Sequence, residues 1–329
     1  MSQTDESLVE ADHAVAEFIA QNTSPHSVTQ EQDVRERVSE FLTYNSTTPK
    51  TRYAVVTSGG TVAPLERKEI RHITNLSTGR RGSASCEQLL EHGYKVIFLH
   101  KTGCLMPFAR HFQDGSFMDR VGVDDMGNVD MGELLMSAIK ARQHHVANRN
   151  IVYVPFHTVA DYQLAMRTTL CTCRALLNDE QMKHVLVYLV AAVADFYVPY
   201  SLLPPEKIDS KPHEDAMTIY LQKVPKALAR GLVGRLWGAG AFVTTFKLET
   251  DESRIDEKVL KHINAFSNIK LVCANLLSGI RREIKVHDVR EVSAPEVITR
   301  DPDEPEDNLE RKLVAHVVDK HSLYCDNLW

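Results

Sequence analysis

Nowhere in this chain do apolar residues run on for the roughly 20 positions that a membrane-spanning helix needs. The opening Met-Ser-Gln-Thr-Asp-Glu also lacks the basic start and apolar stretch of a secretory leader. No membrane partner is expected. Basic residues are in deficit, 38 Lys and Arg against 44 Asp and Glu, so the charge footprint of a nucleic-acid binder is missing. The Arg80-Arg81 pair is too short to supply one. Six cysteines in 329 residues do not make a disulfide framework, and Cys171 and Cys173 have no second Cys/His pair at zinc spacing. Buried thiols in a reducing, cytoplasmic compartment are the expectation. No internal repeat is found.

What is present is a composition that is 43% apolar, enough to bury the core of one large α/β domain or two small ones. Residues 1–50 are polar and read as an N-terminal helical arm. Its stronger helix spans Val28 to Tyr44, with Thr29 as the predicted N-cap, Gln32 completing a capping box, and Val34, Val38, Phe41 and Leu42 on one face. From Tyr53 onward short apolar runs alternate with helical segments, the pattern of a parallel sheet. Strands are predicted at 53–57, 95–100, 151–155, 185–190, 241–246 and 270–274. Helices are predicted near 82–92, 160–170, 225–235, 253–266 and 306–320, and β ribbons at 216–222 and 283–293. The stretch 103–150 breaks this rhythm and reads as an insertion within a single domain, 51–329.

The chemistry concentrates between elements. Strand 53–57 empties into Ser58-Gly59-Gly60-Thr61, and about twenty residues later Asn75, Ser77, Gly79 and Gly82 precede a helix. Glycines and hydroxyls at a helix opening leave backbone N–H groups bare where the dipole favours an anion. A nucleotide or phosphorylated metabolite fits, although glycine-rich turns without a ligand are common. Ala191-Ala192-Val193-Ala194-Asp195 ends another strand with small residues and one carboxylate, where open α/β sheets bind ligands; a helix or turn cap is the alternative for Asp195. Lys207 and Lys211 sit on a loop that could close over a phosphate or simply be solvated. Phe246 and Asn275 stand at the ends of two further strands. Polar or aromatic groups at four strand ends together point to a nucleotide-dependent enzyme.

These same stretches carry a resemblance. Thr57–Thr61, Arg71 with Asn75-Leu76-Ser77-Thr78-Gly79-Arg80-Arg81-Gly82, Ala191–Phe196, Glu206-Lys207-Ile208 and Phe246-Lys247-Leu248-Glu249-Thr250 closely resemble phosphopantothenoylcysteine synthetase, in its monofunctional eukaryotic form, from about residue 51 to 320. The resemblance implies a Rossmann-like three-layer α/β sandwich with a mostly parallel sheet and a β ribbon used in dimerisation. It implies a ligase of coenzyme A biosynthesis joining 4′-phosphopantothenate to L-cysteine through an acyl-nucleotidylate. ATP would be the nucleotide, with CTP as the other option, and Mg²⁺ would ride on its phosphates.

Residue by residue, Gly59, Ser77, Gly79 and Gly82 would line the nucleotide phosphates, and Phe246 and Asn275 would contact the nucleoside. Asn75, Ala191, Ala192 and Asp195 would hold phosphopantothenate, with Arg71 reaching in from the partner subunit of a homodimer. Asn75 and Lys207 would be the catalytic residues. Bacterial relatives pack several lysines after the position of Lys207, which weakens a role for Lys211, and in Gln222-Lys223-Val224-Pro225-Lys226 a lysine is shifted by one position, so Lys223 is assigned none. A Rossmann dehydrogenase is disfavoured, because His100-Lys101-Thr102 follows the second strand where an acidic ribose ligand belongs. A nucleotide- or NAD-binding regulatory protein without ligase activity needs neither Asn75 nor Lys207.

Overall fold

The computed structural model describes residues 3–25, 27–113, 117–209, 217–227, 232–265, 268–304 and 308–329. Helices α1 (Gln3–Asn22) and α2 (Glu31–Asn45) precede strand β1 (Tyr53–Ser58). The short pair β2 (Val62–Pro64) and β3 (His72–Thr74) leads into α3 (Arg80–Glu91) and β4 (Lys95–Lys101). Next come β5 (Gly122–Val123), β6 (Val129–Asp130), α4 (Gly132–Ala147), β7 (Ile151–Phe156) and α5 (Val159–Leu176). A single turn, α6 (Asp179–Met182), leads to β8 (Val185–Leu189), β9 (Phe196–Tyr197) and β10 (Gln222–Lys223). The chain closes with β11 (Phe242–Glu249), α7 (Ile255–Ala265), β12 (Ile269–Leu276), β13 (Glu283–Asp288), β14 (Glu296–Thr299) and α8 (Asn308–Cys325).

One eight-stranded sheet runs β14-β13-β12-β11-β8-β1-β4-β7. Its pairs from β12 to β7 are parallel, while β13 and β14 add an antiparallel edge. The six predicted strands are its six parallel members. Every residue of β1 and β8 is buried, as unbroken β-branched runs require of strands covered on both faces. Alternate side chains divide between the two layers. Tyr53 and Val55 join a core with α1, α2, α5 and α7, whereas Ala54 and Val56 pack with residues of α3, α4 and α8. The result is the expected mostly parallel α/β sandwich. Among the described residues no helix is long and apolar enough to cross a membrane.

Several local expectations change. Thr29 does not cap α2: the N-cap is Gln30, without a side-chain cap bond. The buried Thr29 hydroxyl instead donates to the carbonyl of Pro155 at 2.8 Å, a tertiary acceptor that outcompetes the local one. The segment 103–150 contains α4, which connects β4 to the neighbouring β7, so the βα rhythm continues through it. Its start is pinned by buried Glu87, which accepts from Phe108 N at 2.6 Å and from the Arg110 guanidinium at 2.9 and 2.8 Å. The ribbon predicted at 283–293 is β13, an antiparallel strand of the main sheet between β12 and β14, and of 216–222 the pairing residue is Gln222, opposite Tyr197. Around 225–235 a π-helical turn spans Leu232–Trp237; residues 228–231 lie outside the described set.

Candidate functional site

After β1 the chain moves outward through β4 to β7, then returns across β1 to β8, β11 and β12. That reversal opens a crevice beyond the carboxyl ends of β1 and β8, the usual ligand position in such sheets. Its floor is stitched from both strands. Ala192 N donates to Gly59 O at 2.9 Å and Thr61 N to Ala192 O at 3.1 Å. Hydroxyls of β1 and its turn extend the seam, accepting from Ala191 N at Thr57 (3.1 Å) and from Ala194 N at Thr61 (2.8 Å).

The second glycine piece lies on the first. Asn75 Nδ2 donates to Val193 O at 2.9 Å, which brings the 75–82 segment onto the β8 exit. A Cβ on Gly60 would stand 2.4 Å from the Asn75 carbonyl oxygen, so only glycine admits this approach. Likewise a Cβ on Gly82 would meet Ser58 Oγ at 2.4 Å, and Ser58 Oγ itself donates to Gly79 O at 3.1 Å. Gly79 is the N-cap of α3 with φ +83°, a left-handed geometry that places the first turn of the helix over β1. The N–H groups and dipole at a helix start of this kind favour an anion.

Asp195 lies on the same rim, exposed, with Lys226 Nζ at 2.8 Å. An ion pair this exposed contributes about 0–1 kcal/mol, so either partner can be surrendered to a ligand. Ser77 is half-buried, and Ala191 and Ala192 border the crevice through the bonds above. Lys207 is exposed on the 204–209 loop, and Lys211 lies outside the described residues. Arg71 is held within its own chain by Glu66 and by Ile208 O.

Phe246, inside β11, packs edge-to-face on Tyr188 with centroids 5.0 Å apart. Asn275 is buried, and both ends of its amide are engaged inside the chain. Its Oδ1 accepts from Arg81 Nη1 at 2.5 Å and its Nδ2 donates to Glu283 O at 2.5 Å. Through the first of these bonds Asn275 positions Arg81. The guanidinium is fixed further by Ile280 O at 2.6 Å and Glu310 at 3.3 Å, and lies 5.9 Å from the Phe246 ring centroid. Arg81 stood inside the motif, yet nothing in its spacing announced partners about two hundred residues away.

Glu66 was not anticipated either. Its side chain is fully buried. Burial by itself raises a carboxyl pKa, but the backbone N–H and guanidinium of Arg71 outweigh it and hold Glu66 below the ordinary carboxylate value. An acidic residue five positions before an arginine is too common a spacing to have signalled this.

Fold and crevice together define a doubly wound α/β protein with a split glycine turn at the switch point of its sheet. Residues 50–169 match the DNA/pantothenate metabolism flavoprotein C-terminal domain family. The chain is 32% identical over 299 residues to phosphopantothenate–cysteine ligase 1 of Arabidopsis thaliana, covering 89% of this chain and 90% of that one. It is 29% identical to the Saccharomyces cerevisiae ligase CAB2 (89% and 92% covered) and 29% identical to the Homo sapiens ligase (83% and 87%). A solved structure of a Cab2 mutant in complex with phosphopantothenate-cysteine superposes with a TM-score of 0.82 at 28% identity, covering 94% of this chain and 98% of that one. The chain belongs to the phosphopantothenate–cysteine ligase family.

Proposed function

We propose that this protein joins 4′-phosphopantothenate to L-cysteine at the crevice between β1 and β8, using a nucleoside triphosphate, as a step of coenzyme A biosynthesis. The observation that carries the reading is the meeting of the Gly59-Gly60 turn, the Asn75–Gly82 segment and the Ala191–Asp195 exit over one floor, in a chain of this family. A carboxylate is a poor electrophile, so it first attacks the nucleotide α-phosphate, forming the acyl-nucleotidylate and releasing pyrophosphate. The cysteine amine then attacks the acyl carbon, and the nucleoside monophosphate leaves.

The first turn of α3 with Gly59, Ser77, Gly79 and Gly82 receives the phosphates. Lys207 neutralises the charge that builds on them, and Mg²⁺ carried by the nucleotide would add to that neutralisation. Asn75, whose Nδ2 keeps a second N–H beyond the one given to Val193 O, donates to the anhydride oxygen as charge develops there. Asp195 and the Ala191-Ala192 backbone orient phosphopantothenate. Phe246 and the Arg81 plate shape the nucleoside end, for which ATP is preferred to CTP.

Two copies associate, each lending Arg71 to the other's site. Supporting this, large apolar side chains stand exposed on the segments bordering the crevice: Ile70 at 55%, Leu76 at 91%, Phe196 at 46% and Tyr220 at 71%. A second copy of the chain would take them out of water.

The test is incubation with 4′-phosphopantothenate, L-cysteine, Mg²⁺ and ATP or CTP in turn. Pyrophosphate release that requires phosphopantothenate, with the peptide-linked product appearing once cysteine is added, is the expected result. Pyrophosphate release indifferent to phosphopantothenate would overturn the reaction.

A further inference from the structure

We infer that Glu66 is a positioning residue for the ligation: it clamps the Lys207 loop to the Arg71 segment through the backbone of Ile208. A buried carboxylate costs several kcal/mol in desolvation unless its oxygens are filled, and here they are filled by these two segments. Glu66 Oε2 accepts from Arg71 N at 2.8 Å, and Oε1 accepts from Arg71 Nη1 at 2.7 Å and from Ile208 N at 3.3 Å. Arg71 Nη1 also donates to Ile208 O at 3.0 Å, so both backbone groups of the residue after Lys207 are engaged. Two further backbone bonds run alongside: Arg67 N to Pro204 O and Leu65 N to Arg71 O, each 2.9 Å. Lys207 is itself exposed and has long, freely rotating bonds, so its reach over the crevice is set by where this clamp fixes its backbone.

The inference rests on the role proposed for Lys207, and the experiment separates the two. Tryptic cleavage of the full-length protein after Lys207 reads the clamp without reference to activity, because it attacks the Lys207–Ile208 bond. In Glu66→Ala this cleavage should accelerate about tenfold. In the same variant, kcat for phosphopantothenate-dependent pyrophosphate release should fall about tenfold while KM for ATP moves less than about twofold, as expected for an interaction felt in the transition state. In a Lys207→Ala background, adding Glu66→Ala should cost almost nothing more, since the first change has already removed what the clamp positions.

Glu66→Gln keeps the volume and one acceptor oxygen, so it should give intermediate values, and it decides the matter if Glu66→Ala does not fold. Unchanged cleavage after Lys207 in both variants overturns the clamp, as does a full additive rate loss in the double variant. Wild-type turnover in Lys207→Ala alone would instead overturn the role of Lys207, and the catalytic meaning of the clamp with it.

Discussion

Gly60→Ala is the sharpest perturbation of this site, because its cost can be worked from one contact. An added Cβ would lie 2.4 Å from the Asn75 carbonyl oxygen and 3.5 Å from Ser77 Cβ. Carbon–oxygen contacts settle near 3.3–3.6 Å, so the Asn75 backbone must retreat by roughly 1 Å. The obstacle is main chain rather than the far end of a flexible side chain, and rotamer change cannot relieve it. Overpacking of this kind costs about 1–3 kcal/mol in stability, which leaves a domain of ordinary stability folded. Catalysis suffers more: a displacement of about 1 Å in a catalytic group costs on the order of 10² in rate.

The assay is steady-state product formation with phosphopantothenate, cysteine and ATP, beside a thermal melt. Gly279→Ala serves as the control, since its Cβ would meet nothing nearer than Glu283 Cγ at 3.8 Å. The expected result is a small fall in melting temperature, a kcat reduced about 100-fold, and a control indistinguishable from wild type. A folded Gly60→Ala enzyme within about threefold of wild-type kcat would refute the idea that this contact sets the position of Asn75.

Asn75→Ala should fold, lose about 10²–10³ in turnover, and accumulate the acyl-nucleotidylate in a rapid quench; undiminished product formation would remove Asn75 from the chemistry. Mixing Arg71→Ala subunits with Asn75→Ala subunits should restore part of the activity, because one hybrid site then has both residues; absence of recovery would mean self-contained sites. Stability should fall in acid. Burial, with the nearby Arg52 and His184 charges and against the hydrogen bond to Lys183 O, pulls the His321 pKa from 6.5 to about 3. The unfolded chain therefore takes up a proton that the native state refuses, and stability present above pH 6.5 is lost progressively toward pH 3. A His321→Gln variant should show a shallower decline of the urea midpoint across that window, and parallel curves would contradict the assignment.

The parallel sheet was legible because its strands carry their own signal. Runs such as Tyr-Ala-Val-Val and Val-Leu-Val-Tyr-Leu are apolar without alternation, and that pattern belongs to strands buried on both faces. Helix α4 was not legible because its buried stripe is Leu135, Ala138 and His145, while Leu134 and Met136 face water at 51% and 41%. A histidine on the buried side and leucine on the wet one blur the helical period. The glycine-rich turn could be read because backbone chemistry is local: a turn where an added Cβ would stand 2.4 Å from another segment's carbonyl oxygen excludes every side chain, whatever the rest of the fold does.

Partner choice is different in kind. Thr29 has a good local use as a cap and gives it up for Pro155 O, and Asn275 accepts from Arg81, across 126 and 194 positions of sequence. A side-chain hydrogen bond is worth about 1 kcal/mol net wherever it is made, so local and distant acceptors compete almost evenly and the tertiary structure decides. Residues whose duty is to approach closely were therefore found from the sequence. Those whose duty is to hold another residue, Glu66 and Arg81 above all, became visible when the strands had brought their partners to the same end of the sheet.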